Sequence, residues 1–173
     1  MNATALTDAL VSQYEAALEM LRASIEAAPD EVWDSPDYEN RTWRLVYHTL
    51  YYTKLYVGPS AEAFSEWEGA IEGAESLGGS WEDPSATVEV EGVHSPGELV
   101  TFLDSLLSEL PDAVRSLPLD AESGFEWYPY SRFELHLNTL RHIQHHTGQI
   151  MERLRSHGVT GIAWATGADA VGW

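Results

Sequence analysis

Residues 131-SRFELHLNTLRHIQHHTGQIMERLRS-156 open with a capping pattern, Ser131 followed by Glu134, and continue without proline or glycine until Gly148. Within them Leu140, Ile143, Thr147, Ile150, Met151 and Leu154 mark one side of a helix, each residue turning by about 100°. The pattern predicts a helix over about 131 to 156 with Gly158 as its terminator. On that wheel His142 and His146 face inward together, whereas His145 falls nearly opposite and points to solvent.

Upstream, 95-SPGE-98 gives a second clear start: Ser95 caps, Pro96 takes the first helical position and Glu98 completes a capping box. Leu99, Phe102, Leu103, Leu106 and Leu110 supply the buried face of a helix over 95 to 110. Pro111 ends or kinks it, leaving a short extra turn from Asp112 to Leu117. Another helix spans 42 to 57, capped by Thr42 and stopped by Gly58-Pro59. Its apolar residues surround the axis, so it is buried on more than one side. The first helix covers about 5 to 28, with Leu10, Tyr14, Leu18, Leu21 and Ile25 on one face and Pro29 closing it. Residues 29 to 41 read as a connection. Residues 58 to 94 read as a long crossover, with a short helical possibility near 60 to 71 and an alternating stretch at 86 to 93. The tail 158 to 173 is expected to pack irregularly. Four long helices with little strand signal make an all-α bundle, in one domain over 1–173.

The chain of 173 residues is 44% hydrophobic and 21% charged, ordinary globular usage. Its 28 acidic residues against 9 basic ones give a net charge of −19, a field that repels phosphate backbones and anionic lipid. Nucleic acid and membrane are therefore not expected as partners. The absence of cysteine removes disulfides, thiolate ligands and thiol nucleophiles, so any metal must be held by His, carboxylate or water. No signal-peptide pattern opens the chain and no apolar run approaches the ~20 residues of a membrane span, which leads to a cytoplasmic expectation.

Histidines four apart on one helix face can bind one cation, but a tight site needs a third ligand. His48 is the candidate from another helix. His94 and His157 are weaker choices, and His136 lies too far along the helix to reach the same ion as His146. Spacing alone also fits histidines bonded only to backbone and water. The His-Glu-x-x-His pattern of zinc proteases and the Glu-x-x-His pattern of di-iron bundles are both missing.

The segments 42-TWRLVYHTLYYTKLY-56 and 138-NTLRHIQHHTGQIMERLR-155 resemble the DinB-like superfamily of bacterial four-helix proteins. The likeness lies in a histidine inside the second helix and a His-x-x-x-His pair followed by 148-GQI-150. The pieces 31-EVWDSP-36 and 95-SPGELVTFLDSL-106 stand in similar order, and the likeness covers about residues 5 to 156. It implies a four-helix bundle of up-down-down-up topology, its two parallel middle helices joined by the crossover at 58–94. It further implies a divalent metal, Zn or Ni, held by His48, His142 and His146, and a homodimer. Related proteins use low-molecular-weight thiols such as bacillithiol or mycothiol.

Three imidazoles leave a coordination position open, as in catalytic sites. Three readings follow: a metal-dependent enzyme acting on a small molecule, as thiol transferase or hydrolase; a non-catalytic stress-response or ligand-binding protein whose pocket is filled, for example by Trp164 or Trp173; and histidines that only pack the bundle. Tyr52, one turn beyond His48, and Asn138, one turn before His142, are placed to bond a ligand, but no residue is singled out as catalytic. Gln149 is read as facing out with His145. Lys54, the only lysine, reads as a surface charge, and the scarcity of basic residues speaks against a bulky anionic thiol.

Overall fold

The computed structural model describes residues 2–78 and 88–167, and the backbone of 170–172. It is predominantly helical, in keeping with the all-α expectation. Helix α1 spans Ala3–Glu26 and starts two residues before the expected position, because the Asn2 side chain caps it by accepting from the Ala5 N–H at 2.9 Å. It stops at Glu26, ahead of Pro29, whose missing N–H cannot extend the ladder. The connection that follows holds a single helical turn, α2, Asp30–Trp33. The buried Trp33 of that turn donates its Nε1–H to the His94 carbonyl at 2.7 Å.

Helix α3 is Thr42–Val57, as the sequence predicts, but Thr42 is not its cap. Arg41 occupies that position without a side-chain bond. The buried Thr42 hydroxyl instead accepts from Arg153, which also donates to the Asn40 carbonyl at 2.8 Å. Those bonds tie the end of α5 to the start of α3.

Helix α4, Pro96–Arg115, begins with the expected capping box: the Glu98 N–H donates to Ser95, and the Ser95 N–H to the Glu98 carboxylate. It runs past its expected end at 110, because Pro111 sacrifices one backbone bond while Leu110 and Val114 on either side stay buried and hold both turns to the core. Helix α5, Arg132–Ser156, is capped by Ser131, which accepts from the Glu134 N–H at 3.2 Å. It ends at Gly158, whose φ of 81° is the left-handed conformation that a C-terminal cap requires.

Helix α1 packs on α4 and α5, and α3 packs on the same two helices. Leu18, Leu21, Ile25, Leu50, Leu103 and Leu154 meet in the shared core, each contributing on the order of 2 kcal/mol by leaving water. All five apolar positions named for α1 are buried.

The crossover departs from its reading. Residues 60 to 71 form turns rather than a short helix, and residues 88–93 carry no strand; positions 86 and 87 lie outside the described residues. The turns still seat apolar side chains, Trp67 and Ile71 against the main core and Ala61 and Phe64 against a smaller cluster. The loop is fixed further by the buried Ala74 and by Trp67, which stacks on Phe102 with ring centroids 4.8 Å apart.

The tail is more regular than expected. Strand β1, Trp164–Gly167, pairs antiparallel with β2, Ala170–Gly172, and β1 lies against α1, where Gln13 donates to the Thr166 carbonyl at 3.2 Å. Its backbone bonds replace side-chain packing that small residues cannot supply. Trp164 is exposed and Trp173 lies outside the described residues.

No helix among the described residues is long and apolar enough to cross a membrane.

Candidate metal centre

Three imidazoles from two helices converge. His48 projects from the middle of α3, and His142 and His146 project one turn apart from α5. Their ring centroids lie 4.9 Å (His48 to His142), 4.8 Å (His48 to His146) and 4.6 Å (His142 to His146) apart. One ligand nitrogen from each lies within 4.8 Å of the others, so a small inward adjustment brings all three to the roughly 3.0–3.4 Å that an ion with bonds of about 2.0–2.1 Å requires.

Hydrogen bonding fixes the tautomers. The His48 Nδ1 sits 2.5 Å from the Glu75 carbonyl, which can only accept, so this nitrogen carries the proton and Nε2 presents a lone pair. The His146 Nδ1 donates to the Gln149 Oε1 at 2.7 Å, with the same consequence for its Nε2. Across the centre, the His142 Nε2 faces the His48 Nε2 at 2.9 Å. Two lone pairs at that distance repel, so without an ion His142 donates there, and its Nδ1 is left buried with no partner among the described residues. A ring that keeps one nitrogen unsatisfied in order to point the other at two imidazoles fits a cation ligand better than a packing role.

The electrostatics agree. Burial pushes the His48 imidazole down to about 4, helped by the charges of His146 and Arg44. Burial and the neighbouring histidines push His142 down to about 3, and burial lowers His146 as well. All three are therefore neutral at pH 7, the form that binds metal.

The remaining histidines stand outside the group, although the His145 ring lies 4.9 Å from that of His146. His145 and His157 are exposed. His94 is buried among Trp43, Tyr47 and Trp67. His136 is buried against Tyr14, whose hydroxyl lies 3.1 Å from its Nδ1. Lys54 pairs at the surface with Glu109, as its reading anticipates. Asn138 is half-buried and its side chain makes no hydrogen bond among the described residues, whereas the Tyr52 ring stands 4.7 Å from that of His48 and 5.9 Å from that of His142.

Two orienting groups escaped the sequence reading. Gln149 is exposed as expected, yet it reaches back one turn to His146, a contact its i+3 spacing allowed. The Glu75 carbonyl is a backbone atom of the crossover, and no residue type announces it.

Beside the histidines lie two cavities that share Tyr52 and Glu75. One, of about 450 Å³, is lined by Tyr51, Tyr52, Leu55, Tyr56, Glu75 and Trp127. The other, of about 710 Å³, adds Glu72, Glu89 and Glu91 to the shared pair. Comparison of the chain with protein-family models, curated proteins and solved structures finds no match. The functional reading therefore rests on the chain itself.

Proposed function

We propose that the protein binds one divalent metal ion, Zn or Ni, through His48, His142 and His146, and is a DinB-like enzyme acting on a small molecule by thiol transfer or hydrolysis. The observation that carries the reading is the convergence of three neutral imidazoles, two of them held by Nδ1–H bonds so that Nε2 faces the centre. Three nitrogen ligands leave room for a substrate or water, whose anionic form a bound cation would stabilise. The aromatic cavity is lined by Tyr52 and Glu75, the two residues that also contact His48, and Trp164, which would fill the pocket of a purely structural relative, is exposed on the ladder against α1.

The up-down-down-up bundle belongs to the same proposal, supported by the order of contacts. Along α3 and α4 the pairs Tyr47 with Phe102 and Lys54 with Glu109 advance together, which suits parallel middle helices joined by a crossover. Along α1 and α4 the pairs Arg22 with Asp104 and Asp8 with Arg115 run in opposite senses. Along α3 and α5 the bonds of Arg153 to Thr42 and of Arg132 to Gly58 also run oppositely. A cytoplasmic location and a homodimer complete the proposal.

The test is a screen of metal-loaded and chelated protein against low-molecular-weight thiols paired with electrophilic acceptors, and against small esters and amides. Turnover that needs the metal and disappears in His48→Ala supports the enzyme. Metal binding without any metal-dependent turnover leaves the alternative of a non-catalytic ligand-binding protein.

A further inference from the structure

The cavity of about 450 Å³ beside the histidines combines aromatic walls with one carboxylate. Tyr51 and Tyr52 meet at 71° with ring centroids 5.3 Å apart, which makes a corner. Tyr56 extends the Tyr52 wall at 5.8 Å, and Trp127 covers the outer side, donating its Nε1–H to the Tyr56 hydroxyl at 3.3 Å. Aromatic faces carry the negative lobe of the ring quadrupole, so walls of this composition favour a cation.

Among the described lining residues Glu75 is the one ionised group, and its charge reaches Tyr51, whose hydroxyl burial and Glu75 push up to about 12. The adjoining cavity adds three more carboxylates. The cations of α3 have other hydrogen-bond partners: Arg44 donates to the Gly73 and Val88 carbonyls, within reach of the Glu75 charge, and Lys54 pairs with Glu109. An anionic head placed here would meet Glu75, with no cationic side chain among the described lining residues. A neutral apolar head would strip water from that carboxylate and return nothing. A cation satisfies both the rings and the carboxylate.

We propose that this cavity receives the cationic head, a quaternary or protonated amine, of the small molecule that reacts at the three histidines. The proposal rests on the enzymatic reading for what the bound molecule goes on to do, whereas binding of the head needs no metal. Tyr52, which touches His48 and lines the cavity, joins the two parts of the site.

Choline and its neutral carbon isostere, dimethylbutanol, are suitable probes, because they share shape and differ in charge. Full-length protein is titrated with each by calorimetry and tryptophan fluorescence, beside Glu75→Gln and Trp127→Leu, with the metal content of every sample measured. Saturable choline binding at least about tenfold tighter than that of dimethylbutanol is expected, weakened about fivefold or more by either substitution. Glu75→Gln keeps the backbone carbonyl that orients His48, so its metal content is expected to match wild type. Equal affinity for the two probes, no saturable choline binding, or binding indifferent to both substitutions overturns the proposal. The His142→Ala/His146→Ala variant separates the two readings: choline binding that survives there supports the pocket independently of metal, whereas wild-type protein that binds choline but takes up neither Zn nor Ni sinks the metal centre and leaves the cation pocket standing.

Discussion

His136 and His142 stand on the same helix, both are largely buried, and burial pushes both imidazoles far below the usual histidine range, to about 4 and about 3. What meets their nitrogens differs. His136 lies in the half of α5 where polar groups close on one another: the Tyr14 hydroxyl reaches both its Nδ1 and its carbonyl, and the wholly buried Arg132 donates to the Ser123 and Gly58 carbonyls. His142 lies in the half where ring nitrogens converge, its Nε2 donating to the His48 Nε2 and its Nδ1 without a partner among the described residues. Burial and neutrality are thus common to both; what sets His142 apart is a ring nitrogen without a partner among the described residues and a second one that converges with nitrogens of two other imidazoles.

If the two halves differ in this way, substitutions in the first should cost stability and spare metal, and substitutions in the second should do the reverse. Arg132→Ala is expected to have the largest effect, about 3 kcal/mol or more of stability in urea unfolding. It opens a large void and strips two carbonyls of their donor. Its folded fraction should still bind metal at wild-type stoichiometry, and a folded Arg132→Ala protein without metal would erase the distinction.

Acid comes next. A histidine whose folded value is depressed contributes stability that is complete above the unfolded value of about 6.5 and is lost as pH falls toward the folded one. For His136 that interval runs from about 6.5 down to about 4, and the loss is on the order of 3 kcal/mol. Chelated His136→Gln protein should therefore show a shallower fall in stability over this range than chelated wild type. Identical pH profiles would remove His136 from the account of acid sensitivity.

Gln149→Ala sharpens the other half. Loss of the acceptor that orients His146 is expected to weaken zinc affinity about 10- to 100-fold in competition with a chromogenic chelator, while changing the stability of chelated protein by less than about 0.5 kcal/mol. The smallest effect belongs to His145→Ala. Its side chain is exposed, so both affinity and stability should stay within about twofold and 0.5 kcal/mol of wild type. A large loss of zinc there would mean that the ligand set has been drawn around the wrong face of α5.

The helices and the inward pair on α5 were legible because periodicity and caps are local signals: Ser95 and Ser131 cap where their Glu partners predict, and His142 and His146 share the face that the apolar residues define. Elsewhere the local signal competed with tertiary contacts. Thr42 looks like a cap but gives its hydroxyl to Arg153, and Pro111 looks like a stop but is carried through by the buried Leu110 and Val114. The Glu75 carbonyl could not be foreseen, since every residue owns one and only the path of the crossover brings this one to His48. The same holds for the cavity corner. The sequence lists its tyrosines, but Trp127 and Glu75 join them from segments without periodicity.

The measurement that bears most directly on the metal centre is elemental analysis by mass spectrometry. Untagged wild-type protein, as purified and after incubation with Zn and Ni, is compared with the His142→Ala/His146→Ala variant. About one divalent ion per chain, absent from the variant, is the predicted result for a site of three converging imidazoles. No ion in the wild type, or an equal amount in the variant, would contradict it and return the three histidines to the packing of α3 against α5.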